Sequence, residues 1–151
     1  MNLNKLLVTT VFTAAAVFAN DHLNEIAGTA KQLESDFGVI ARTLKNKKFA
    51  TDELKRDVEA ARPHVDRLKA AADQFEAANP SLSERQKAEW SKTKELIALV
   101  DIFHSRKSEL LDSGAAAKNR KLLEAKAKGL VHRSTMLRES AQKLSQGLGN
   151  S

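Results

Sequence analysis

The sequence predicts an all-α protein, an antiparallel up-down-up-down four-helix bundle. Four segments carry an apolar face, and in the first, second and fourth its residues step alternately by three and four, which marks one side of a helix. The composition favours helix: Ala, Leu, Lys and Glu abound, Pro occurs twice and Tyr is absent. The breaks between segments are short, and a short link makes neighbouring helices antiparallel. No segment alternates apolar and polar residues as a strand would.

Residues 1–19 stand apart. Lys5 precedes an unbroken apolar and small-residue run from Leu6 to Ala19, with Val17 and Ala19 at the −3 and −1 positions of a cleavage site. This is the layout of a secretory signal peptide. The run is shorter than the roughly 20 apolar residues of a spanning helix. The expectation is a periplasmic or secreted protein, not transmembrane once residues 1–19 are removed, with residues 20–151 as one bundle domain. The chain has no cysteine, so it forms no disulfide and no thiolate metal site.

The first helix runs from Asp21 to Lys45, with Leu23, Ile26, Ala30, Leu33, Phe37, Ile40 and Leu44 on one face. Asn46, Lys47 and Lys48 break it. Thr51 is the expected cap of the second helix, with Asp52 and Glu53 favourable in its first turn. That helix carries Leu54, Val58, Ala61, Val65, Leu68, Ala72 and Phe75. Pro63 lies inside, yet the stripe keeps its phase, so one helix kinked at Pro63 is expected rather than two.

Asn79 and Pro80 end the second helix. Ser81 and Glu84 have capping-box spacing for the third, which is expected from about Leu82 to Asp112. Its apolar face is Trp90, Leu96, Ile97, Val100, Phe103, His104, Leu110 and Leu111, with Gly114 as a left-handed stop. The fourth helix starts near Ala115 and carries Leu123, Ala127, Leu130, Ser134, Leu137, Ala141 and Leu144. Ser134 interrupts this stripe and is expected to bond the carbonyl four residues back. The tail 146–151, with two glycines, is expected to fray.

Candidate chemistry is sparse. The histidines His22, His64, His104 and His132 fall one to a helix. At a rise of about 1.5 Å per residue their heights do not converge, so no metal site is expected. Asp101 and His104 are three apart and able to meet, with Asp101 orienting a partly buried imidazole. A di-iron bundle needs a second such pair. No nucleophile elbow, phosphate loop or dinucleotide fingerprint is present, and no catalytic residue is assigned.

Charge is more informative. The chain carries a net +6, which becomes +5 without Lys5. The fourth segment concentrates it: Lys118, Arg120, Lys121, Lys126, Lys128, Arg133, Arg138 and Lys143 face only Glu124 and Glu139. In an antiparallel bundle Lys45, Lys47 and Lys48 share one pole with Lys118, Arg120 and Lys121. These six are the expected contact residues for an anionic surface or a partner protein, with peripheral membrane contact among the possibilities. Nucleic acid is not expected, because no aromatic residues interleave the basic ones.

The segment Leu33-Glu-Ser-Asp-Phe-Gly-Val-Ile40 resembles the first-helix pattern of the periplasmic cytochrome b562 family, whose helices follow in comparable order. The resemblance spans most of residues 20–151. It implies the same bundle fold and noncovalent haem b, held between a Met early in the first helix and a His near the end of the fourth. Here Ala30 falls where that Met would be, and residues 21–45 contain no Met. His132 and His22 are left for the role. The residues themselves therefore point to a non-enzymatic extracytoplasmic binding or adaptor protein with a basic face and no cofactor. The resemblance supplies the alternative, a haem-binding electron carrier.

Overall fold

Four helices make up the computed structural model: α1 (Leu3–Lys45), α2 (Thr51–Ala77), α3 (Glu84–Asp112) and α4 (Arg120–Gly149). It describes residues 3–78, 80–112 and 116–149, with side chains within 17–78, 80–107 and 116–149. No strand occurs among the described residues. Each helix packs on two others, in the cyclic order α1, α2, α3, α4 and back to α1. The α1–α4 interface is the densest and α2–α3 the sparsest. Small residues explain the first: Ala27, Ala30 and Ala41 on α1, and Ala127, Ser134 and Ala141 on α4, are all buried.

Contacts between α1 and α2 pair rising with falling numbers. Glu25 meets Arg67, Asp36 meets His64 and Thr43 meets Asp57, at 2.8, 2.7 and 3.2 Å. The stripes of α1, α2 and α4 are buried at every predicted position and join one apolar core drawn from all four helices. Burying a Leu, Ile or Phe side chain contributes roughly 1.5–3 kcal/mol, so these faces hold the fold together. The helix α2 is continuous through Pro63, and Leu54, Val58, Val65, Leu68 and Phe75 on its two sides enter the same core.

The boundaries differ from expectation in physical detail. α1 starts at Leu3, not Asp21, and continues without a break past Ala19, which is buried. Thr51 is the first helical residue of α2. Its cap is Ala50, extended and with no side-chain bond, so acidic Asp52 and Glu53 are what favour the first turn. The capping box of α3 is Ser83 with Gln86, not Ser81 with Glu84. Gln86 N donates to Ser83 Oγ at 3.3 Å, and Ser83 N donates to Gln86 Oε1 at 2.8 Å. Glutamine serves this motif as well as glutamate.

α4 starts at Arg120, after a turn over residues 116–119, rather than near Ala115. It runs through Gly147 to Gly149, because Leu148 extends its stripe by one more step of four and is buried. The frayed tail expected from Gln146 is therefore helical as far as Gly149. Gly114, Asn79, residues 150–151 and the side chains of Leu110 and Leu111 lie outside the described residues.

Candidate functional site

Two places hold the chain's unusual chemistry: the pole where α1 ends and α4 begins, and a polar seam inside the bundle. At the pole Asn46 N donates to Thr43 O at 3.2 Å, and Lys48 N donates to Asn46 Oδ1 at 3.0 Å. The polar break is thus a tight turn held by the Asn46 side chain. Arg120 Nη1 donates to Leu44 O at 2.8 Å and lies 3.5 Å from Glu124 Oε2. The last carbonyls of a helix lack partners within it, and Arg120 supplies one across the bundle. This bond brings the two predicted sets of basic residues together.

Arg120 itself is half-buried and committed to Leu44. Lys45, Lys47, Lys48, Lys118 and Lys121 are exposed. Leu122, beside Lys121, is 49% exposed. Glu124 is held below the usual carboxylate range, chiefly by the hydrogen bond from Lys128 at 2.7 Å. Exposed Asp52 and Glu53, in the first turn of α2, stand beside the lysines at this end.

The interior seam was only partly legible. On α3 the buried set is Trp90, Thr93, Leu96, Ile97, Val100, His104 and Lys107. Thr93 Oγ1 donates to Glu89 O at 2.9 Å and stands 2.9 Å from Ser140 Oγ of α4. Ser140 Oγ donates to Glu89 Oε1 at 2.5 Å, and Lys143 Nζ donates to Glu89 Oε2 at 2.8 Å. These bonds, Lys143 first, hold the Glu89 carboxyl below its usual range. Ser134 behaves differently from expectation. Its hydroxyl is buried and meets no hydrogen-bond partner among the described residues. Thr93 and Thr135 do bond the carbonyls four residues back.

His104 is buried rather than partly buried, with its ring 6.0 Å from that of Phe37. Burial pushes its imidazole down to about 4. Asp101 Oδ2 accepts a hydrogen bond from Lys69 Nζ at 2.8 Å, a tie to α2 that spacing along α3 does not reveal. Lys107 is 1% exposed, and its Nζ stands 4.8 Å from the centre of the Phe37 ring. Burial lowers its amine to about 7.

Sequence reading missed Lys107, although the signal is present. Residues 90, 93, 97, 100, 104 and 107 step 3-4-3-4-3, so Lys107 is the next position of the buried stripe. At Gly129, Arg133 Nη1 donates to the backbone O at 3.1 Å; a Cβ there would stand 2.9 Å from that Nη1, the far end of a side chain free to shift. The bond places the guanidinium 4.6 Å from the Phe103 ring centre.

The remaining histidines do not converge. His64 is bonded to Asp36, and His132 is exposed. Ser145 Oγ bonds both Asn20 and Asn24 of α1, which sets His22 level with Ser145. His132 is thirteen residues earlier on α4, roughly 20 Å along the axis. Among the described residues no group of three or more His, Asp or Glu is gathered as for a metal ion, and no helix is long and apolar enough to cross a membrane.

The fold and these sites define a class, a four-helix bundle with one basic pole and a buried polar seam. No protein-family model, characterised protein sequence or solved structure matches the chain.

Proposed function

We propose that this chain is exported by its first nineteen residues and works outside the cytoplasm by contact, as a non-enzymatic bundle that lays its basic pole on an anionic surface. The supporting observation is the Arg120–Leu44 bond, which gathers Lys45, Lys47, Lys48, Lys118 and Lys121 at one end. Basic side chains at the start of α4 oppose its dipole, so the local fold does not favour them. The exposed Leu122 among them suits a lipid interface. Carboxylates elsewhere are spent on ties between helices, as in Glu25–Arg67, Glu34–Arg138 and Glu76–Lys94, rather than paired for acid–base work.

Each lysine near an anionic bilayer contributes about 1 kcal/mol at best, and the attraction fades within a Debye length of about 8 Å at physiological salt. Binding to phosphatidylglycerol vesicles is therefore expected to be weak and salt-sensitive. Changing the five exposed lysines to Gln, with Arg120 kept for its bond to Leu44, is expected to abolish it at constant helicity. Binding that survives high salt or the five changes would refute the proposal.

The cytochrome b562-like reading, with noncovalent haem b, rests on residues 33–40 and the bundle architecture. The offset of roughly 20 Å between His22 and His132 speaks against that ligand pair. A Soret band at one haem per chain after haemin is added would favour it over surface attachment.

A further inference from the structure

Lys107 is a basic group placed where an apolar one belongs. It occupies a stripe position of α3, its Nζ lies over the face of Phe37, and it meets no hydrogen-bond partner among the described residues. Among the described residues, the groups around it offer little relief. α1 presents the Phe37 ring. α4 presents Lys126, of the same sign, which acts on the amine at range. One turn back on α3 lies the buried His104, which feels Lys107 itself and Arg62 unfavourably, and Asp101 and Asp66 favourably. A buried ammonium without a counter-ion is among the costliest arrangements in a protein interior. The same side chain as a neutral amine behaves as an apolar stem with a polar tip.

The way out is short. Lys107 is five residues from the end of α3 at Asp112, about 7.5 Å along the axis. Its helix also shares the sparsest interface of the bundle, with α2. Helix ends open locally at lower cost than the whole fold.

We propose that Lys107 is a proton-operated latch: the neutral amine closes the C-terminal turns of α3 onto Phe37, and its protonation opens those turns so that the ammonium reaches water. Burial brings the amine of the closed form to about 7 against an ordinary 10.5, so opening grows as pH falls through that range. His104, lowered to about 4, stays neutral over that range and joins only in stronger acid. The latch is closed above that range and most open at and below its lower end, because the charged form is the one that the interior rejects.

Two measurements on the whole chain test this. The ¹³Cε shift of Lys107 reads its protonation. Amide hydrogen exchange over residues 102–107, corrected for the intrinsic effect of pH, reads the opening. The wild type is expected to titrate well below an ordinary lysine and to lose more than about tenfold in protection between pH 9 and pH 7, with protection levelling off below that. Lys107→Met is expected to keep full protection from pH 6.5 to 9. A Lys107 midpoint above 9, protection in the wild type that ignores its titration, or an equal loss in Lys107→Met would overturn the proposal. Should Lys107→Met not fold, the wild type alone decides: its protection must fall with pH down to the Lys107 midpoint and level off there.

Discussion

Two hydroxyls at stripe positions give a paired prediction of opposite sign. Ser134 on α4 and Thr93 on α3 are both fully buried. Thr93 bonds Glu89 O and touches Ser140 Oγ, both at 2.9 Å, whereas Ser134 Oγ has no partner among the described residues. Burying a hydroxyl without a hydrogen bond costs about 1–3 kcal/mol by protein mutational measures. Ser134→Ala removes that cost and only one atom of packing. It is expected to stabilise the bundle by about 1–2 kcal/mol, or roughly 3–6 °C for a domain of this size. Thr93→Val keeps the shape and removes the bonds. Ser140 keeps its bond to Glu89 Oε1, so the loss is that of the Thr93 bond to Glu89 O. A cost of about 1 kcal/mol is expected. Urea unfolding at pH 7, followed by circular dichroism with the slope checked for constancy, measures both. Destabilisation by Ser134→Ala beyond about 0.5 kcal/mol would mean that its hydroxyl is bonded in solution and the accounting is wrong.

Further expectations concern His104, Pro63 and Arg120. His104 titrates at about 4 when folded against an ordinary 6.5, so the unfolded chain binds the extra proton between those values. Stability is then lost as pH falls from 6.5 towards 4, by roughly 3 kcal/mol from this residue, and the difference between wild type and His104→Leu in urea midpoints across that window isolates it. Pro63→Ala restores a backbone donor inside a helix that is already continuous. It is expected to stabilise α2 by up to about 3 kcal/mol at unchanged helical content, and a change of fold by circular dichroism would contradict that. Arg120→Ala frees the Leu44 carbonyl and is expected to cost about 1–2 kcal/mol, with faster amide exchange at the end of α1. An unchanged melting temperature would show the bond to be idle.

Sequence alone decided the number of helices, the phase of the stripes of α1, α2 and α4, and the turn at Asn46. These follow from local rules: helical spacing puts residues three and four apart on one face, and a helix with one apolar face must bury it. Hence every predicted stripe residue of α1, α2 and α4 is in the core. The meeting of Lys45, Lys47 and Lys48 with Lys118, Arg120 and Lys121 was legible for a similar reason, since short links decide which helix ends are neighbours. What Arg120 does there was not legible, because its partner is the Leu44 carbonyl, 76 positions away in the chain. The same holds for Ser83 taking the cap from Ser81, for Asp101 pairing with Lys69, and for Thr93 finding Ser140 while Ser134 finds nothing. Spacing alone would allow Lys107 on the buried stripe, but a lysine reads as solvent-facing until neighbouring helices close over it. Face and phase are properties of one helix. A hydrogen-bond partner depends on the register and rotation of two, and only tertiary packing sets those.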